Sequence, residues 1–298
     1  RITMQTGILK PVPLLATYLS FQLKDGISKS TGIPALRQLF AMADGSRMVI
    51  GLSLSLCKKL GIKCPKELHE FQMPKSSKVK VAAQNNVDLL VWLRATDKQD
   101  RGDLIQISQH LQMLLANSFV VADIVESFKY EVKHSAESFD LTGYEDGTEN
   151  PKGQKAKSFG FAPDGSSYLA LQKWLHQWDK INSMHVADMN KAIGRNKKTN
   201  AELETAPESA HVKRSTQEDF TLSDGTQGFS LRRSLPWSDG KHSGLMFAAF
   251  GKSFEAFELQ FQRMVGADDG ITDALFKISK PLNTNFFWCP PVVAGKIT

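Results

Sequence analysis

The stretch that decides the fold is VDLLVWLRAT at 87–96, followed by DLIQISQHLQMLLANS at 103–118. The first is a short run of branched and aromatic apolar residues, which reads as a strand. The second places Leu104, Ile107, Leu111, Leu114 and Leu115 at helical spacing, so one stripe faces a core. VVADIVESFKYEV at 120–132 returns to strand character. Upstream, LLATYLSFQL at 14–23 reads as a strand, and GIPALRQLFAMA at 32–43 as a helix with Ile33, Leu36, Leu39 and Phe40 on one face. SRMVIGLSLSLCKKL at 46–60 opens as another strand. The order is β-α-β-β-α-β, the split βαβ arrangement of ferredoxin-like domains.

The second half repeats that order. SYLALQKWLHQWDKI at 167–181 starts strand-like and turns helical, and VADMNKAIGR at 186–195 is a short helix. QGFSLRRSLPW at 227–237 and SGLMFAAFG at 243–251 read as strands, the latter matching VDLLVWLRA in character. SFEAFELQFQRMVG at 253–266 is a helix like that at 103–118, and TNFFWCPPV supplies a closing strand. The expected architecture is therefore α+β, with two ferredoxin-like halves, 1–142 and 143–298, and antiparallel sheets. Residues 196–226 are polar and read as a long loop, and long loops in compact domains are often functional.

Composition bounds the function. The 298 residues are 41% hydrophobic and 23% charged, ordinary for a soluble chain with a sizeable core. A net charge of +6 over this length is a weak signal. The densest basic run, GRNKKTN at 194–200, is short and has no aromatics between its charges, so nucleic acid is not an expected partner. No apolar run reaches the ~20 residues that cross a bilayer, and no signal-peptide pattern stands at the start. Three cysteines, Cys57, Cys64 and Cys289, are too few and too odd in number for a disulfide framework and suit a reducing cytosol. The expected location is the cytoplasm.

The chemistry concentrates in the second half. GYEDGTENP, 143–151, puts Asp146 on a turn pinned by glycines. His211 follows in SAHVKR, and Arg232 and Arg233 in SLRRSLPW. A neutral imidazole is a good axial ligand for haem iron. A carboxylate can shuttle a proton between the two oxygens of a peroxide. A guanidinium can stabilise the charge on the departing oxygen or pair with a haem propionate. Each residue also has a plainer reading: Asp-Gly is common in turns, a histidine can cap or sit on the surface, and strand alternation lets only one of the two arginines face a cofactor.

Taken together, the motifs resemble the dye-decolourising peroxidases. GYEDGTENP fits that family's G-x-x-D-G signature, and GSSYLALQKWLHQWDKINS, AIGRNKKTNAELE, SAHVKR, LRRSLPW and DALFKISKP follow in the family's order. The resemblance spans nearly the whole chain and looks like the cytoplasmic bacterial B type. It implies haem b (iron protoporphyrin IX), bound mainly in the C-terminal half, with His211 as the iron ligand and Asp273 behind it. It implies Asp146 and Arg232 as the catalytic pair beside the haem, Arg195 near the propionates, Glu149 and Glu202 near the haem access, and Phe247 against the haem face. Ser234 departs from the asparagine that many B-type members carry. The implied reaction reduces hydrogen peroxide and oxidises organic donors such as dyes and phenols through a ferryl intermediate. Trp174, Trp178, Trp237 and Tyr168 are candidate electron relays, and core packing is the plainer role for each. Family members commonly form dimers or larger homo-oligomers. Two other readings are a haem- or porphyrin-binding protein for haem handling or iron release, and a cofactor-free α+β interaction module.

Overall fold

The computed structural model describes residues 1–81, 85–131 and 138–297. In the first half, β1 (Leu15–Leu23), α1 (Lys29–Met42), β2 (Met48–Leu52), α2 (Leu54–Leu60), β3 (Leu89–Arg94), α3 (Arg101–Leu115) and β4 (Phe119–Phe128) follow the expected order. Local chemistry sets several ends. Asp100 and Asp103 form a reciprocal capping box at the start of α3. Ser53 caps α2 through the Leu56 N–H, and Gly61 ends it in the left-handed conformation. The expected strand at 120–132 continues after β4 only as Tyr130–Glu131; Val132 lies outside the described residues.

The second half contributes α4 (Gln154–Gly160), β5 (Ser167–His176), α5 (Trp178–Ser183), α6 (Val186–Ile193), α7 (His211–Ser215), β6 (Leu231–Arg232), β7 (Leu235–Ser238), β8 (Ser243–Gly251), α8 (Glu255–Met264) and β9 (Ser279–Cys289). Two expectations change here. The run at 227–237 is not one strand but two, because Arg233 and Ser234 leave the ladder. The Arg233 N–H goes to the Ala248 carbonyl, and the Ala248 N–H is taken by the Ser234 hydroxyl at 3.1 Å, so a side chain replaces a backbone acceptor. The expected loop at 196–226 contains the short helix α7, whose first residue is His211.

The strands form one antiparallel sheet in the order β6-β8-β7-β4-β1-β3-β2-β9-β5, and β5 also pairs with β8, so the sheet closes on itself. Within each half the order is fourth, first, third, second, with β6 and β7 counted as one interrupted strand. The halves meet at two narrow seams, Trp237 opposite Ser127 and Trp288 opposite Leu52. Strand alternation then sorts the core into two layers. Tyr18, Trp92, Leu169, Leu171, Met246, Ala248 and Phe250 fill the inside of the ring. Leu19, Phe21, Tyr168, Trp174, Phe257 and Phe261 pack outside it, beneath the helices. Both layers draw on both halves. On the outer face of β5 and β8, Gln172, Trp174, His176, Leu245 and Phe247 line a cavity below α8. Among the described residues, no helix is long and apolar enough to cross a membrane.

Candidate active site

Asp146 is placed by a folded turn. The Asp140 carboxylate accepts from the Thr142 N–H at 2.9 Å and the Thr142 hydroxyl at 2.6 Å, and the Gly143 N–H donates to the Asp140 carbonyl. Gly143 has φ +95°, a left-handed conformation that favours glycine. The chain then forms the two-residue strand Glu145–Asp146, paired with Ser138–Phe139 in a small separate sheet. Burial raises the Asp146 pKa above the usual carboxylate value; Arg232 opposes that rise and the charge of Asp140 adds to it.

Arg232 reaches the same cavity from β6. Its Nε is buried without a hydrogen-bond partner. Arg233 points elsewhere, as alternation requires, and its buried guanidinium donates to the carbonyls of Ile8, Leu9 and Arg232. Two residues adjacent in sequence thus divide the work: Arg233 ties the N-terminal segment down, and Arg232 faces the cavity.

His211 opens α7 and faces the same cavity. Its Nδ1 lies 2.7 Å from Asp273 Oδ2. Asp273 is 1% exposed, and its other oxygen accepts the Leu275 N–H, capping the 3₁₀ turn Ala274–Lys277. It therefore both caps a helical turn and orients the imidazole. With Nδ1–H donated to the carboxylate, Nε2 keeps its lone pair for a ligand. Burial would depress the His211 pKa, but Asp273 outweighs it and the net shift is upward.

The cavity encloses about 840 Å³ of atom-free space, mouth included. Its apolar walls are Trp174, Ile193, Leu245, Phe247, Phe257 and Leu275. A second acid–imidazole pair lines it: His176 Nε2 is 3.0 Å from Asp140, and Nδ1 is 2.8 Å from the Ser279 hydroxyl. Burial would raise the Asp140 pKa, but the hydrogen bonds from His176 and Thr142 hold it below the usual value. The residues present suit a haem. The walls are apolar, one imidazole offers a spare nitrogen, and a buried guanidinium edge lacks a partner. Among the described residues no cluster of three or more His, Cys, Asp or Glu gathers as for a bare metal ion. A lone donor fits an ion that a macrocycle already holds.

The cavity thus brings together Asp146, His211, Arg232 and Phe247, with Asp273 directly behind His211. Arg195, Glu149 and Glu202 are not among its lining residues. Arg195 donates to Glu149 at 2.8 Å, to Glu202 at 3.4 Å and to the Asn200 carbonyl. Trp174 lines the cavity; Tyr168 and Trp237 are buried in the core, and Trp178 packs edge-on against His176. Sequence reading missed Asp140, His176, Ser279 and Asn150. Of these, His176 alone carried a faint signal, since it shares the face of Gln172 and Trp174 by simple alternation along β5.

Residues 137–294, more than half of the chain, match the family model described as Dyp-type peroxidase, C-terminal. A dye-decolorizing peroxidase of Rhodococcus erythropolis is 29% identical over 94% of this chain and 85% of its own length. Another, of Mycolicibacterium paratuberculosis, is 28% identical over 76% of this chain, and the match spans 64% of that protein's length. The solved dye-decolorizing protein from V. cholerae superposes with a TM-score of 0.81 at 25% identity, covering 96% of each chain. A DypB variant of Rhodococcus jostii, solved in complex with haem, shares the fold with a TM-score of 0.79 at 24% identity over 95% of this chain and 94% of its own. The chain therefore belongs to the Dyp-type peroxidase family.

Proposed function

We propose that this chain is a haem b-dependent peroxidase that reduces hydrogen peroxide and oxidises organic donors such as dyes and phenols. One observation carries the reading: His211, braced by Asp273, shares a single cavity with Asp146 and Arg232. Haem, when bound, supplies the redox chemistry. The side chains supply the rest. His211 Nε2 would hold the iron, and Asp273 fixes the tautomer of the imidazole and raises its basicity. The Asp146 carboxylate takes the proton from one peroxide oxygen and returns it to the oxygen that leaves. Its raised pKa makes the ionised form a better base for that exchange. Arg232 stabilises negative charge on the departing oxygen. Phe247 and its apolar neighbours exclude water from the cavity. Arg195, which donates to Glu149 at 2.8 Å, would offer its guanidinium to a haem propionate. Carriage of haem for iron release leaves Asp146 and Arg232 without a task, which favours turnover.

The finer reading is of two ferredoxin-like halves, 1–142 and 143–298, with the haem held by the second. The matching strand orders support it. Three free cysteines support a reducing, cytoplasmic setting, while the B type and homo-oligomers are what the family resemblance leads one to expect. The test is rapid mixing of haem-loaded protein with peroxide, followed by absorption. Asp146→Ala and Arg232→Ala are each expected to slow the reaction by roughly 10²-fold or more. If both variants react at the wild-type rate, the assignment is wrong.

A further inference from the structure

Arg232 is held in an unusual way. Among the described residues its guanidinium makes no hydrogen bond or ion pair, and its Nε is buried. Its aim is therefore set at the root of the side chain. β6 is only two residues long and is paired with β8 along one edge. Along the other edge stands the side chain of Asn150. Asn150 Oδ1 accepts the Arg232 N–H at 2.7 Å, and Asn150 Nδ2 donates to the Arg232 carbonyl at 2.9 Å. A side-chain amide has the donor and acceptor of a peptide group, so Asn150 completes the ladder as a neighbouring strand would. Fixing the N–H and the C=O of one residue fixes both flanking peptide planes, and with them the direction of its Cα–Cβ bond. The same Nδ2 also lies 3.4 Å from the carbonyl of Gly147, the residue after Asp146. Two residues before Arg232, the Ser230 N–H is taken at 2.9 Å by Gln217, which is 1% exposed.

We propose that Asn150 is a positioning residue that sets the direction of Arg232 relative to Asp146, although it lines the far side of their wall rather than the main cavity. Eighty-two residues apart in sequence, it connects the turn that carries the acid to the strand that carries the cation. The inference rests on the peroxidase reading for its kinetic consequence, but the geometry stands by itself. Arg232, Asp140 and His211 are the charged groups that act most on Asp146, and Lys129, Lys152 and Arg233 line the outer cavity that Asp146 and Asn150 share. Loosening Arg232 removes the influence that lowers the Asp146 pKa, so that pKa rises further.

The test uses haem-loaded Asn150→Ala and Asn150→Asp. Asn150→Ala is expected to slow the peroxide reaction by roughly 10- to 100-fold, the usual consequence of a reacting group displaced by about 1 Å. It is also expected to move the pH midpoint of that rate upward while haem content stays at wild-type level. A second readout does not depend on turnover: infrared titration of the carboxyl band that disappears in Asp146→Asn should show the same upward shift. Asn150→Asp keeps the acceptor for the Arg232 N–H but sets a carboxylate against two carbonyl oxygens, and should shift the midpoint at least as far. Should Asn150→Ala fold poorly, Asn150→Ser, which keeps a hydroxyl near the Arg232 N–H, is expected to fall between it and the wild type. Variants that lose thermal stability but keep both the rate and the midpoint overturn the proposal. A wild-type protein that ignores peroxide, while its Asn150 variants still shift the infrared midpoint, would overturn the peroxidase reading and leave this inference standing.

Discussion

Two histidines of the same cavity are each paired with an aspartate, and the pairs differ in what remains unspent. His211 gives Nδ1 to Asp273 and keeps Nε2. His176 uses both nitrogens, Nε2 on Asp140 and Nδ1 on the Ser279 hydroxyl. The two carboxylates differ as well. Asp273 is anchored by one backbone N–H, whereas Asp140 also holds both donors of Thr142. The first pair is open at one end and can bind a ligand. The second is closed and secures the turn that presents Asp146. A carboxylate beside an imidazole is thus not enough to identify a ligand; a nitrogen left free to face the cavity is what separates the two.

The sharpest way to break this comparison is to remove each imidazole. His211→Ala should abolish the imidazole-ligated haem spectrum, read by electron paramagnetic resonance and by haem retention on a column, while His176→Ala should keep it. If His176→Ala loses the ligand signature instead, the roles are reversed. The closed pair should dominate stability. His176→Ala takes one partner from Asp140, which keeps both donors of Thr142, and is expected to cost about 1–3 kcal/mol in urea unfolding. Next comes Asp273→Asn, which removes the charge that braces His211 and should weaken haem binding by roughly 10- to 100-fold in a competition assay with apo-globin.

Smaller effects follow from proton linkage. The Asp140 pKa is depressed in the folded state, so its contribution to stability is present above its unfolded value of about 4 and is lost as pH falls through the folded value. Asp140→Asn should therefore flatten the acid limb of thermal stability measured against pH. The same substitution removes a charge that raises the Asp146 pKa, so the acid limb of the peroxide reaction should move to lower pH. The least change is expected from Ser279→Ala. It frees His176 Nδ1 and should cost about 0.5–1.5 kcal/mol, the net worth of one hydrogen bond.

Much of the site was legible because its motifs are local. Gly143, Asp146 and Gly147 announce a turn with an acid on it, and His211 stands in a polar segment that a compact domain retains for a reason. Alternation lets only one of the paired arginines face the cavity, the family resemblance points to Arg232, and the structure keeps Arg232 and Arg233 on different sides. The closed pair was not legible. His176 and Asp140 are 36 residues apart in sequence, and each has an ordinary reading by itself. The split between β6 and β7 was equally hidden, because nothing in SLRRSLPW says that the Ser234 hydroxyl will accept the Ala248 N–H.

By itself, the sequence determined most of the strands and helices, their order along the chain, and the turn that carries Asp146, because periodicity and turn residues record local geometry and burial. Only the tertiary structure decided that the sheet closes through single-residue seams, that His176 is spent and His211 is free, and that Asn150 stands in for a strand beside Arg232. Those outcomes depend on hydrogen bonds between groups far apart in the chain. Their partners are chosen by how whole elements pack, and no local pattern records that choice.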